Sequence, residues 1–275
     1  MSVVVPRTIR RPLIAASAAA ALAAGLAACG SSSGGGGNGD PAAAVPAGAP
    51  LYVEAVVRPD GAEGDAAQAL LRKVLRTGDP SAKLIALLDD AGSTRGVDFR
   101  RDVEPWLGRK AGAGMTRVSA GPGGNGAGLA VIDSRDDAKA SAHLDALLGG
   151  RTSTARHRDV EMRTARDRST AAAVLDGRVL AGTPSEVRAG IDVLKGEREP
   201  LAGASGFTRA REASGADGLG FLYVDVRSIF RSAASQAGAG AALLSPLADT
   251  LPHTVSATLH AERDAFTVDA AAVGG

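Results

Sequence analysis

The chain has 275 residues, 45% of them hydrophobic and 22% charged, and its 31 basic and 30 acidic side chains leave a net charge of +1. This composition excludes global disorder and a collagen-like repeat, and the near-zero charge gives no electrostatic footprint for nucleic acid. One cysteine excludes an internal disulfide or a thiolate zinc cage, and an aromatic content of 3% argues against stacking platforms for bases or sugars.

The N-terminus reads as an address. Arg7, Arg10 and Arg11 precede an alanine-rich apolar run from Leu13 to Ala27, and Leu26-Ala27-Ala28-Cys29 is followed by Gly30 and Ser31. A basic start, a short apolar stretch and small residues before a cut are a secretory signature. With cysteine at that place the segment resembles the lipobox of bacterial lipoproteins. The resemblance implies that residues 1–28 are a signal peptide and that Cys29 is the lipidation site, the first mature residue and the membrane anchor. A plain signal peptide or an uncleaved span are the other readings, Pro12 to Ala28 being at the lower limit for spanning. Cleavage removes three arginines and no acid, so a polybasic membrane patch gives no support and the lipid itself must hold the chain. Arg10-Arg11 hints at twin-arginine export, but Pro12 follows and general secretion is preferred.

Residues 29–50 then read as the lipidated cysteine and a flexible Gly/Ser/Ala/Pro tether. The 21 residues from Gly30 to Pro50 would reach roughly 25 Å as a coil. The Gly34 to Gly37 run lacks the strand and helix of a phosphate loop.

Residues 51–275 are expected to form a single extracytoplasmic domain. Leu51 to Val57 reads as a strand, and Ala67, Leu70, Leu71, Val74 and Leu75 recur at helical spacing. Asp79-Pro80 looks like the start of a second helix filled by Leu84, Ile85, Leu87 and Leu88. Asp98 to Gly108 is a short amphipathic piece carrying the only tryptophan, Trp106. Strands are predicted over Ala113 to Ala120 and Gly128 to Ile132, and a helix with Ala140, Leu144, Leu147 and Leu148 on one face. Thr154 to Thr164 and Thr170 to Leu175 read as strands, and Asp176-Gly177 is a hairpin signal. Thr183-Pro184-Ser185-Glu186 is a capping box opening a helix through Val187, Ile191 and Leu194. Leu219 to Val226 is a strand, Ser228 to Ala248 a broken helix, and Thr254 to His260 with Ala265 to Val273 a closing hairpin.

Strands in adjacent pairs with helices grouped between them predict an α+β fold: a largely antiparallel sheet with helices packed on it. Leu51-Tyr52-Val53-Glu54 returns as Leu222-Tyr223-Val224-Asp225, and the stretch from Thr116 to Ala120 has a partner in Thr254-Val255-Ser256-Ala257. Two similar β-α-α-β-β halves and chance similarity of short apolar strands are both open readings.

Asp98-Phe99 with Asp102-Val103-Glu104-Pro105-Trp106-Leu107-Gly108, together with the Pro46 to Pro59 strand, resembles a bacterial extracytoplasmic family, domain-of-unknown-function family 3352. The stretches Val174 to Thr183 and Leu201 to Arg211, ahead of Leu222-Tyr223-Val224, are similar to it as well. The resemblance covers most of Leu51 to Val273. It implies a location and a fold, and it supplies no catalytic residues.

The residues themselves carry little chemistry. There is no G-x-S-x-G elbow, and Gly203-Ala204-Ser205-Gly206 has the wrong spacing. Gly121 to Gly126 matches G-x-G-x-x-G, but a strand follows it where a dinucleotide site needs a helix, so no cofactor is expected. His143, His157, His253 and His260 make no close pair. His157, Asp159 and Glu161 would share one strand face, as a metal site or, with Arg156, Arg158 and Arg163 interleaved, as a solvated edge; no metal is expected. Asp89-Asp90 and Asp136-Asp137 read as helix-end charges. Trp106 reads as core rather than partner anchor. The expectation is an enzymatically inactive binding or scaffold module, lipid-anchored through Cys29 on the outer face of the cell membrane. Its partner is an envelope protein and not nucleic acid; the alternative is a carrier of a lipid or other apolar ligand.

Overall fold

The computed structural model describes residues 39–79, 98–117, 127–215, 218–236 and 251–274. Ten strands form one sheet, every neighbouring pair antiparallel: β1 (Leu51–Val56), β2 (Leu107–Arg117), β3 (Ala127–Ser134), β4 (Thr152–His157), β5 (Val160–Ala165), β6 (Ala171–Leu175), β7 (Arg178–Gly182), β8 (Gly220–Asp225), β9 (Thr254–Ala261) and β10 (Phe266–Val273). Their order is β10-β9-β8-β1-β2-β3-β7-β6-β5-β4. Five α-helices are described: α1 (Gly61–Leu75), α2 (Asp137–Leu147), α3 (Pro184–Leu194), α4 (Ser205–Ala213) and α5 (Val226–Gln236). The α+β architecture expected from the strand pairing is the one observed.

The internal repeat is real in the topology. At the sheet centre β1 pairs with β8, where Leu51 faces Val224, Tyr52 faces Tyr223 and Val53 faces Leu222. Those pairs are images of one another about a local two-fold axis through the two tyrosines. On either side lie equivalent meanders, β1-β2-β3 and β8-β9-β10. The expected second match is shifted by four residues. Tyr52 faces Gly114 and Tyr223 faces Ser256, so Thr116 corresponds to Thr258, not to Thr254. The meander β4 to β7 is an insertion that joins the outer edge of β3 through β7.

The described fold reaches back to Gly39, so the end of the stretch read as tether, residues 41–50, packs into the domain. Asp40 caps a 3-10 turn over Pro41–Ala44 by accepting from the Ala42 N–H, and Ala42, Ala44 and Val45 are fully buried. Leu201 N–H donates to the Val45 carbonyl (2.7 Å) and Ala47 N–H to that of Glu199 (2.9 Å). This strap lies across β2 because β2 offers glycine beneath it. A Cβ at Gly112 would meet Tyr52 Oη at 2.6 Å and Pro41 Cβ at 2.9 Å, and one at Gly114 would strike Val45. The small side chains of Ala42 to Ala49, read as low complexity, are the ones that fit so close an approach.

The strap, α3 and α4 cover one sheet face, where Leu129, Val131, Met162, Leu180, Ile191 and Phe207 are buried together. The opposite face packs Trp106 with Ala140 and Leu144 of α2 and Ala172 and Val179 of the sheet. Trp106 is 1% exposed and its indole N–H donates to the Asp102 carbonyl (2.6 Å). The core reading of Trp106 holds.

Local signals held where a cap or turn fixed the backbone. Thr183 accepts from the Glu186 N–H at the start of α3, and Asp136 from the Lys139 N–H at the start of α2. Asp176-Gly177 makes the β6–β7 turn with φ of 50° and 72°. The continuous strand expected over Thr154 to Thr164 does not form. Arg158 and Asp159 take φ of 50° and 62° and turn the chain between β4 and β5. Positive φ at both central residues marks a type I′ hairpin, here without glycine. The expected helix through Leu84 to Leu88, Asp89-Asp90, the Gly121 to Gly126 loop and the second half of the Ser228 to Ala248 helix lie outside the described residues.

Candidate functional site

Glu54 sits in an otherwise apolar strand, and β1 turns it onto the strap-covered face. It is buried, and its carboxylate is fully engaged. Oε1 accepts from Lys110 Nζ (2.9 Å), while Oε2 accepts from Tyr52 Oη (2.8 Å) and an Arg211 guanidinium nitrogen (2.9 Å). Arg211, on α4, donates its other terminal nitrogen to Asp40 Oδ2 (2.7 Å). Its guanidinium carbon lies 4.8 Å and 4.9 Å from the ring centres of Phe207 and Phe221. One arginine therefore joins the strap, the central strand and α4, held over two aromatic faces.

The electrostatics follow from this packing. Burial works to raise the Glu54 carboxyl, but Arg211 and Lys110 overcome it and hold the group below the usual carboxylate range. Burial pushes the Tyr52 hydroxyl well up, and the Glu54 charge adds to that. Asp133 on β3 has no exposed surface. Burial raises it to about 7, although its Oδ2 accepts from the Lys110 N–H (3.2 Å). Its Oδ1 has no hydrogen-bond partner. A Cβ at Gly108 would meet Asp133 Cβ at 2.6 Å and its backbone carbonyl at 2.7 Å, so β2 lies close against the Asp133 backbone. Chemically, the Glu54 cluster is saturated: both carboxylate oxygens are engaged by Lys110, Tyr52 and Arg211.

The second polar constellation lines an open groove of about 460 Å³ between α1 and the β9–β10 hairpin. His260 lies there with its ring nitrogens 3.6 Å from Glu63 Oε1 and 3.5 Å from Asp269 Oδ2. Those distances exceed hydrogen-bond length. The neighbouring Thr267 hydroxyl reaches Glu262 (3.4 Å) rather than the imidazole.

The residues singled out in the sequence are scattered. Cys29 lies outside the described residues. His143 Nδ1 is 2.8 Å from the Lys139 carbonyl within α2. His157 Nε2 is 2.7 Å from Asp192 Oδ1 on α3, and the Arg158-Asp159 turn separates it from Glu161, so the three-residue strand face does not exist. Among the described residues no group of His, Cys, Asp and Glu is arranged to hold a metal ion. Ser205 opens α4. Sequence reasoning missed Glu54, Arg211 and Asp133. The available signal was a carboxylate in each of two apolar strands, Leu51 to Val57 and Ala127 to Asp133, at positions that face the core. Nothing along the chain pointed to Arg211 as their partner.

A family model described as "Protein of unknown function (DUF3352)" matches residues 13–263. The chain belongs to the DUF3352 family. No curated protein matches its sequence. Among solved structures, crystal form I of TP0453 is similar at 11% identity and a TM-score of 0.42, covering 84% of this chain and 77% of that one. Crystal form IV of TP0453 is similar at 10% identity and a TM-score of 0.40, covering 83% and 78%. No described helix of this DUF3352 protein is long and apolar enough to cross a membrane.

Proposed function

We propose that this DUF3352 protein is a lipid-anchored extracytoplasmic module that works by binding a partner and not by catalysis. The observation that carries binding is the uneven cover of the sheet. Leu222, Phe266 and Val268 of the β8-β9-β10 half stand 36%, 39% and 61% exposed, while the interior carboxylate at Glu54 is consumed by its own neighbours. Exposed apolar side chains grouped on one face are a feature of interaction surfaces. The anchor reading rests on Leu26-Ala27-Ala28-Cys29 and its basic, apolar lead-in. Nine residues separate Cys29 from Gly39, the first described residue. A Gly/Ser segment of that length reaches about 15–18 Å. The domain would therefore stand closer to the membrane than the longer tether implied.

The test is fractionation and intact mass of Cys29→Ala beside wild type, then native mass spectrometry of the wild type extracted from its own membrane. A diacylglyceryl mass lost in the variant, with release from the membrane fraction, supports the anchor. A variant that stays membrane-bound and normally processed refutes it. A co-purifying protein supports the binding role, and a retained lipid in its place would turn the reading toward a carrier.

A further inference from the structure

We propose that the free edge of β10 pairs with β10 of a second copy, giving a two-fold dimer with a continuous twenty-stranded sheet and Ala270 on the axis. The starting observation is the internal symmetry. β10 is the counterpart of β3, and the outer edge of β3 is filled antiparallel by β7, from Leu129 opposite Gly182 to Asp133 opposite Arg178. Among the described residues β10 pairs on one side only, with β9. Among the described residues, the position that the insertion occupies in one half is bare in the other.

The bare edge is suited to pairing. β10 is eight residues long, about 27 Å, with Asp269 its single charge and no lysine or proline to blunt it. The Glu262 N–H donates to the Ala265 carbonyl, and this fixes the alternation of the β9–β10 ladder. Thr267, Asp269 and Ala271 direct their backbone groups to β9. Phe266, Val268, Ala270 and Ala272 direct theirs outward.

These facts select the occupant and its register. Pairing two copies about an axis normal to the sheet sets residues of the same face opposite each other, so the axis must pass through a residue. An axis at Asp269 would place two carboxylates opposite each other about 4.5 Å apart at the backbone, a destabilising like-charge pair. An axis at Ala270 pairs Val268 with Ala272 and Ala270 with itself, as hydrogen-bonded pairs that use the outward groups. It leaves the two Asp269 side chains only diagonal neighbours. It also joins the apolar faces carrying Phe266 and Val268 of the two copies. The same arrangement already exists inside the chain, where β1 and β8 pair about the two tyrosines. A two-fold contact closes, whereas pairing β10 with the other edge, β4, would propagate into fibres. An eight-residue edge strip is smaller than the ~800 Å² per partner of a standard stable interface, so association is reversible and depends on concentration.

The experiment uses the full-length chain carrying Cys29→Ser, which removes its only cysteine. Sedimentation equilibrium should show a monomer–dimer equilibrium that Val268→Lys weakens about tenfold or more. On this background Ala270→Cys should cross-link to itself under mild oxidation, because the paired Cα atoms lie within disulfide range. Asp269→Cys should cross-link far less. A chain that stays monomeric to ~1 mM overturns the proposal. A dimer indifferent to Val268→Lys, or one cross-linked at 269 in preference to 270, overturns it equally. Circular dichroism of Val268→Lys should match wild type, since that side chain is exposed.

Discussion

The two meanders share a strand order and differ in what they bury. In β1-β2-β3, Tyr52 is fully buried over Gly114, the strap fits against glycine, and the outer edge is taken by β7. In β8-β9-β10, Tyr223 faces Ser256, and the buried surface of β9 is hydroxylic. Ser256 donates to the Ala210 carbonyl (2.7 Å) and Thr258 to that of Gly215 (2.7 Å), both near the end of α4. One half is closed by close backbone approach and the other by hydroxyls that satisfy a helix terminus. The difference teaches that a strand pattern sets the topology, while the choice between glycine and a small hydroxyl decides what can lie on it.

Substitutions in each half test this contrast. The largest effect should come from Trp106→Ala, at about 3–5 kcal/mol in urea unfolding, since it empties the core between α2 and the β6–β7 part of the sheet. Val268→Ala in the second half should cost under about 0.5 kcal/mol. Equal losses would erase the distinction. Arg211→Ala should follow at about 3 kcal/mol, because it leaves buried Glu54 with Lys110 as its one cation beside the Tyr52 hydroxyl and frees the strap at Asp40. Limited proteolysis before Leu51 should accelerate in that variant, and an unchanged cleavage rate would separate the strap from the arginine.

Asp133 gives a pH-dependent test confined to the first half. Its folded pKa is raised to about 7. The fold therefore favours the protonated acid, and that contribution is complete below about pH 4 and lost as pH rises through 7. Asp133→Asn should gain about 2–3 kcal/mol over wild type at pH 8 and nothing at pH 4, measured by urea unfolding at both values. A constant offset across that range would show that the carboxyl does not titrate there. Smaller effects than these come from exchanging the matched positions, though above the loss at Val268. Gly114→Ser should cost about 2 kcal/mol, by forcing a side chain into Val45. Ser256→Gly should cost about 1 kcal/mol, the worth of one hydrogen bond to the Ala210 carbonyl.

What the sequence disclosed follows the range of its forces. The α+β class, the Asp176-Gly177 turn and the Thr183 cap rest on residues within a few positions of each other, and all appeared as expected. The paired Leu-Tyr-Val motifs pointed to a repeat without separating it from chance similarity, and the pairing of β1 with β8 supplies the two-fold. The strap was invisible: Ala42 to Ala49 looks like linker until Gly112 and Gly114, some 65 residues later, supply the space beneath it. The Arg158-Asp159 turn was missed because neither residue is glycine. The Glu54–Arg211 pair spans 157 positions, and no local pattern predicts which distant cation a buried acid will meet.

The strap also determines how the fold would respond to a pull from its N-terminal side. Tension on the backbone before Gly39 first meets the Asp40–Arg211 ion pair, and Arg211 hands the load to Glu54 on β1. That strand has neighbours on both sides, β8 and β2, so the force enters the middle of the sheet and not a peelable rim. Rupture would then require shearing several backbone ladders together. A domain hung from this point would tolerate drag that would unzip one hung from β10 or β4.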